Sequence, residues 1–332
     1  MRTVKWGGSL VIVTVVAIGV VSRATGSASV AAPHPREVLF TYQTRISQLP
    51  QQAGQVDVWV PLAKTTVEQE VLHREVRASV PYTIGQDPEY DNDILHLALT
   101  PPLPPTVEVS IDYRARLLSD TVTADSAPTA DELPLHLEPR GLVIIDDEVR
   151  ARAQQATHGR TTVRERARGI YDTVIQQVKY DKHVPGWGRG DTRRVCLLGA
   201  GNCTDFHSLF ISMARASHIP ARFKIGVVVP QEASGTIPGY HCWAEFYAQG
   251  QGWVPVDASE AWKHPELADY YFGAHEAGRL LLSVGRDLQL IPRQRNGPIN
   301  IFFYPYVEID GVVFDQVETQ LLFQELKHKE AA

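Results

Sequence analysis

Cys203 opens an apolar helical pattern that runs to His218, with Phe206, Leu209, Phe210 and Met213 on one face and Pro220 as its stop. Asn202 just before it and Asp205 three residues on are the residue types of an N-cap and its reciprocal partner, so the cysteine falls in the first helical turn. Unsatisfied backbone N–H groups and the positive end of the helix dipole favour a thiolate over a thiol there. The same N–H groups, that of Cys203 above all, suit the oxyanion formed when sulfur attacks a carbonyl. Taken alone, this is equally the pattern of a buried structural cysteine at a helix start, so the chemistry requires a base from elsewhere in the chain.

His241 and Asp257 are the candidates. Strand alternation in Tyr240-His241-Cys242-Trp243-Ala244-Glu245-Phe246 sets His241, Trp243 and Glu245 on one face and Cys242 on the other. A turn over 248–251 leads into Gly252-Trp253-Val254-Pro255-Val256-Asp257. If the two runs form a hairpin, parity puts Asp257 on the face of His241, opposite it or on the diagonal, about 5 to 8 Å away. A carboxylate there holds one imidazole nitrogen and leaves the other to take a proton from a nucleophile. His207, one helical turn after Cys203, is an alternative base, although it has no carboxylate evidently in reach. Cys196, Cys203, His207, His241 and Cys242 also supply the atom types of a zinc site. The absence of a C-x-x-C pair and the opposed faces of His241 and Cys242 argue against one, and no metal or cofactor is expected.

The elements around these residues divide the chain. Val38 to Ile46, Val56 to Leu62, Val71 to Val80, Ile94 to Leu99 and Val107 to Leu117 read as strands separated by turn clusters such as Gly85-Gln86-Asp87-Pro88, which predicts a β-sandwich over 36–118. Residues 119–140 lack an apolar period and read as a linker. Helical patterns at Asp147–Thr157 and Thr162–Lys179, the Gly-rich stretch Pro185-Gly186-Trp187-Gly188-Arg189-Gly190, the cysteine helix and the strands that follow predict an α+β domain over 141–275. A β-rich C-terminal extension over 276–332, with its strands between Leu288 and Phe314, completes the expected order. Arg189 and Asp191 read as a pair.

With 32 Lys and Arg against 38 Asp and Glu, the net charge of −6 excludes recognition of nucleic acid through a basic surface. Arg2 and Lys5, the apolar run Leu10 to Val21 and the small residues Ala24 to Ala32 make 1–32 a secretory signal or an N-terminal membrane anchor. The working part is therefore expected outside the cytoplasmic membrane, periplasmic or otherwise extracytoplasmic. Three cysteines in an oxidising compartment leave at least one thiol free. A Cys196–Cys242 disulfide would leave it at Cys203.

Four blocks together carry a resemblance: Gly201-Asn202-Cys203-Thr204-Asp205-Phe206, Ile219-Pro220-Ala221-Arg222, His241-Cys242-Trp243-Ala244-Glu245 and Gly252-Trp253-Val254-Pro255-Val256-Asp257. In order and spacing they resemble the bacterial transglutaminase-like superfamily, which shares the papain-like fold, over about Thr162 to Trp262. The family's triad falls on Cys203, His241 and Asp257 without departure. Trp59-Val60-Pro61-Leu62 is similar to a block of the N-terminal β-domain that such bacterial proteins often carry. The resemblance implies attack by Cys203 on a carboxamide or peptide carbonyl, protonation of the leaving amine by His241, and a thioester acyl-enzyme resolved by an amine (transglutaminase) or by water (protease or amidase). It also implies Trp187 as an oxyanion donor through its indole N–H, set against plain packing of an aromatic in a loop. Calcium is not carried over from animal relatives, because no Asp-rich loop is present. The expected partner is a peptide or protein substrate, such as a cell-wall peptide. The reading of a different class is a non-catalytic envelope module that binds peptides or peptidoglycan on the same fold.

Overall fold

Alternate residues of Arg36–Ser47 (β1) and Thr106–Leu117 (β6) are buried: Val38, Phe40, Tyr42, Thr44 and Ile46 on the first, and Val107, Val109, Ile111, Tyr113, Ala115 and Leu117 on the second. A strand with one apolar face must cover it, and a second sheet does so. The computed structural model describes residues 35–121 and 127–326; the segment 1–32, read as a signal or anchor, lies outside the described residues. β1, β6, β3 (Gln69–Ala78), β18 (Val317–Leu326) and β11 (Ser234–Thr236) form one antiparallel sheet in the order β11-β18-β1-β6-β3. β2 (Val56–Leu62), β4 (Thr83–Gln86), β5 (Asp93–Leu99), β16 (Tyr306–Ile309) and β17 (Val312–Val313) form the other, in the order β17-β16-β2-β5-β4. Val58 and Val60 of β2 share one hydrophobic cluster with Phe40 and Ile111, while Trp59 turns to a smaller cluster with Ile94, Leu290 and Phe302.

The C-terminal strands complete these N-terminal sheets. β18 runs antiparallel to β1 from Glu37↔Leu326 to Ile46↔Val317, and β16 pairs with β2 from Tyr306↔Trp59 to Ile309↔Val56. Of the segment 119–140, β7 (Asp120–Thr121) pairs with β14 (Ala274–His275), and α1 (Leu133–Leu137) stands where a linker without structure was expected. The ring of His136 on α1 is buried edge-on against Trp253, 4.9 Å between centroids, which ties this segment down.

Between the sandwich strands lies an α+β unit. Its four-stranded sheet has the order β13-β12-β10-β15, from Gly252–Val256 (β13), His241–Ala248 (β12), Ala221–Val228 (β10) and Arg279–Val284 (β15). β15 therefore belongs to this sheet although its residues fall beyond position 275. α2 (Asp147–Thr157), α3 (Val163–Gln177) and α4 (Thr192–Leu198) surround α5 (Cys203–Ala216), and α6 (Ala258–Lys263) follows β13. Residues 203–215 of α5 are all buried, its polar residues Thr204, Asp205, His207, Ser208, Ser212 and Arg215 included. It stops at Ala216, two residues short of the sequence expectation, because His218 takes a left-handed conformation (φ 57°) ahead of Pro220. Among the described residues no helix is long and apolar enough to cross a membrane.

Candidate active site

The cap of α5 has the geometry its residue types imply. The Asn202 side chain accepts from the Thr204 N–H at 3.0 Å, and the Asn202 N–H donates to Asp205 Oδ2 at 2.9 Å. Asp205 does more than cap. Its Oδ2 also accepts from the Gly188 N–H (2.7 Å), its Oδ1 accepts from the Gly190 N–H (3.1 Å), and Arg194 Nη2 lies 2.8 Å from Oδ1. One buried carboxylate thus folds the Gly-rich loop over the helix start. Glycine is required at 190, where φ is +62° and a Cβ would meet Ser208 Oγ at 2.3 Å. On the other side, β8 (Lys179–Tyr180) pairs in parallel with β9 (Ala200–Gly201) and fixes the approach to Cys203. Tyr180 stacks on Trp262, centroids 6.4 Å apart, to form an aromatic wall.

The hairpin of β12 and β13 sets the base. Its register pairs Ala244 with Val256 and Glu245 with Pro255, so Asp257 stands on the diagonal from His241. Their side chains meet: His241 Nε2 and Asp257 Oδ2 are 2.6 Å apart and buried. Asp257 Oδ1 accepts from Ser259 Oγ and from the Glu260 N–H, each at 2.9 Å, so the carboxylate both orients the imidazole and caps α6. The Cys203 sulfur and the imidazole lie close enough that each shifts the ionisation of the other. Cys203, His241 and Asp257, far apart in the chain, therefore converge, and the cysteine is only 2% exposed.

Their electrostatics are mutually reinforcing. The Cys203 thiol is held well below its usual pKa, first by a hydrogen bond from Cys242 and then, against the cost of burial, by the hydrogen bond and charge of His241. Burial alone would discharge His241, but the Asp257 carboxylate and the Cys203 sulfur outweigh it and push the imidazole up to about 10. Asp257 is likewise buried, yet the charges of His241 and Arg279 hold it well below the usual carboxylate range. Burial, followed by the neighbouring sulfur of Cys203, raises Cys242 well above the usual thiol value, so it stays an S–H donor. At neutral pH the arrangement favours a thiolate–imidazolium pair over a thiol and a neutral ring.

Other sequence expectations meet different surroundings. His207 does have a carboxylate in reach: its Nε2 lies 3.5 Å from Asp257 Oδ1 and accepts from the Ala258 N–H at 3.2 Å, while its Nδ1 is 3.7 Å from Cys242 Sγ. Asp191 does not pair with Arg189; it caps α4 by accepting from the Arg193 and Arg194 N–H groups at 3.1 and 3.3 Å. All three cysteines are free, so the Cys196–Cys242 disulfide is not formed, and Cys242 lies instead against α5. Trp187 projects from the loop that Asp205 clamps and is 41% exposed, with Lys182 Nζ 5.7 Å from its ring centroid. Among the described residues no group of three or more His, Cys, Asp or Glu is placed to hold a metal ion. Cys242, expected as a zinc-type donor or a disulfide partner, instead packs against the head of α5 beside Thr204 and His207. Two participants are not among the sequence expectations. Arg279 lies with Nη1 2.8 Å from Asp257 Oδ2, and Arg286 donates to Ser208 Oγ at 2.5 Å and to the carbonyl of Arg189 at 3.0 Å. The one local signal for Arg279 was a charge heading an otherwise apolar strand.

Comparison with known proteins bears on the fold and on the domain that carries these residues. A curated protein of Haemophilus influenzae, described only as uncharacterized, is 33% identical over 175 residues, covering 43% of this chain and 47% of that protein, so the match spans about half of the relative's length. A crystal structure from Cytophaga hutchinsonii, described as a candidate cysteine protease, superposes with a TM-score of 0.59 at 15% identity over 89% of this chain and 92% of that one; the likeness is one of fold. Red sea bream transglutaminase is more distant, with a TM-score of 0.31 at 11% identity over 68% of this chain and 48% of its own. Residues 150–258 match the sequence profile of the transglutaminase-like superfamily, and the chain carries a domain of that superfamily.

Proposed function

We propose that the protein is an extracytoplasmic thiol acyl-transfer enzyme that acts on a peptide or protein carboxamide, or on a peptide bond, through Cys203, His241 and Asp257. The observation that carries this reading is the buried 2.6 Å contact between His241 and Asp257 on the diagonal of a hairpin, beside a buried cysteine at a helix N-terminus whose ionisation it shifts. The Cys203 thiolate attacks the carbonyl carbon, and the resulting oxyanion is met by the Cys203 N–H at the head of α5, with the Trp187 indole as a further donor. The His241 imidazolium then gives its proton to the departing amine, the C–N bond breaks, and a thioester remains on Cys203. The neutral imidazole next takes a proton from the incoming nucleophile, which releases the acyl group and regenerates the ion pair. Asp257 keeps the ring in the orientation both steps need. Water as acceptor makes the reaction hydrolysis, and an amine makes it cross-linking. A cell-wall peptide is the substrate class that matches an extracytoplasmic location.

The test is alkylation of the protein lacking residues 1–32 by iodoacetamide across pH, with the labelled residue located by mass spectrometry. Rapid labelling confined to Cys203 well below the ordinary thiol pKa of about 8.5, and slowed by His241→Ala, is the expected result. Labelling indifferent to His241 overturns the enzyme reading in favour of a peptide-binding module. A screen with amine donors and short peptides then separates transfer from hydrolysis.

A further inference from the structure

We propose that Arg279 is a positioning residue for this triad: it grips the Asp257 carboxylate on the oxygen that His241 uses and sets the pH window over which the Cys203–His241 ion pair exists. The inference rests on the acyl-transfer reading, which does not itself require an arginine. Asp257 Oδ2 is 2.6 Å from His241 Nε2 and 2.8 Å from Arg279 Nη1, while Oδ1 is taken by Ser259 Oγ and the Glu260 N–H. Both oxygens have close partners; the Arg279 contact is an ion pair rather than an aligned hydrogen bond, and His207 Nε2 lies 3.5 Å from Oδ1. Arg279 is 1% exposed. Its guanidinium carbon lies 5.2 Å from the ring centroid of Trp243, and that ring lies nearly parallel to His241, at 18°. The indole packs against both groups, and the two cations meet at the shared oxygen.

The backbone is built to bring the arginine in. β10 shifts register against β15 between Ile225 and Gly226, and a Cβ at Gly226 would stand 1.9 Å from the Leu280 carbonyl oxygen. Only glycine lets the strand headed by Arg279 approach so closely. A buried arginine at the head of Leu280-Leu281-Leu282 breaks the local apolar pattern, and such breaks concentrate where function requires them.

The charged and titratable groups facing Asp257 come from every neighbouring element: Cys203 and His207 on α5, His241 and Cys242 on β12, Glu260 on α6, Tyr171 on α3, Tyr271 and Glu276 ahead of β15, and Arg279 itself. Glu276 is bound to the same guanidinium, 3.4 Å from Nη2. A fixed cation at this point makes it easier to form the Cys203 thiolate and easier to remove the His241 proton. Taking it away moves both ionisations to higher pH.

The experiment measures the rate of Cys203 alkylation by iodoacetamide from pH 4 to 11, where thiolate formation and imidazolium deprotonation give two inflections. Arg279→Met is expected to move both upward by about one pH unit, the order expected for loss of one nearby buried charge at an effective dielectric constant of about 20. Arg279→Lys, which keeps the charge, is expected to retain the original inflections. Glu276→Gln removes the competing carboxylate at a half-exposed position and is expected to move both downward, so the test survives if the methionine variant does not fold. A slower rate with unmoved inflections in Arg279→Met, moved inflections in Arg279→Lys, or no shift in Glu276→Gln overturns the proposal. Lack of rapid Cys203 labelling in the unaltered protein removes the acyl-transfer reading itself, which is a distinguishable failure.

Discussion

Asp257→Asn separates the electrostatic role of the carboxylate from its shape. In the native site His241 stands near 10 against an ordinary 6.5. That gap of about 3.5 pH units, on the order of 5 kcal/mol at most, measures how strongly the carboxylate and the sulfur together favour the imidazolium. An asparagine that keeps its oxygen toward Ser259 and the Glu260 N–H must point its NH₂ at His241 Nε2 and at Arg279, setting donor against donor. The ring escapes by losing its charge and accepting at Nε2, which leaves a proton on the nitrogen facing Cys203. A neutral ring with that tautomer can neither stabilise the thiolate nor take up its proton. With the carboxylate charge gone, burial opposes only the Cys203 sulfur, and His241 falls well below its native value. Labelling of Cys203 at pH 7 is expected to fall by about a thousandfold. The inflection assigned to the imidazolium should drop from the region of pH 10 to below neutrality. Stopped-flow alkylation with circular dichroism as a fold control measures both. If Asp257→Asn labels within about threefold of the native rate at pH 7, the carboxylate is not what sustains the ion pair and the reasoning is wrong.

Further outcomes follow from the same geometry. His241, raised in the folded state, contributes stability that is complete below 6.5 and is lost as pH rises toward about 10, whereas Cys203, lowered in the folded state, contributes stability that grows as pH approaches 9. The two slopes offset between pH 6.5 and 9, so chemical denaturation should be nearly flat there, while Cys203→Ala should lose up to about 1.4 kcal/mol per pH unit; a flat profile in the variant counts against the ion pair. Asp205→Ala removes the acceptor of the Gly188, Gly190 and Asn202 N–H groups and leaves Arg194 without its carboxylate, for an expected loss of about 3 to 5 kcal/mol in urea unfolding; a loss under about 1 kcal/mol refutes the clamp. Gly226→Ala must push β15 away from β10, costing about 1 to 3 kcal/mol, and should also shift the Cys203 inflections in the direction of Arg279→Met; a normal pH profile in a folded variant breaks the link between the bulge and Arg279.

Much of the site could be read from local rules, because its parts are local. The cap at Asn202 and Asp205 is written within four residues, and the meeting of His241 with Asp257 depends only on strand parity across one short turn. What escaped was either weakly marked or long-range. α4 is short and carries two arginines in its first turns, so its apolar period is hidden, although Asp191 is a clear cap in retrospect. β15 is six residues long, and nothing in them specifies β10 as partner. The approach of Cys242 to α5, 3.7 Å from Thr204 Oγ1 and from His207 Nδ1, joins a strand to the helix packed against it, which a rule about opposite faces of one strand could not find. The pairing of β18 with β1 joins residues more than 270 positions apart and leaves no trace in either segment.

That last pairing has a consequence for how the chain reaches its native state. β1 lies between β6 and β18, so until the final stretch of polypeptide is available its second side offers a row of unpaired N–H and C=O groups. The first sheet cannot close vectorially from the N-terminus: its opening strand waits for the last one, a closure of high contact order that is slow and exposes the intermediate to self-association. A premature stop between Phe314 and Val317 would strip β18 from both β1 and β11 without touching Cys203, His241 or Asp257. Such a chain would retain every residue of the triad and fail for want of a sheet edge.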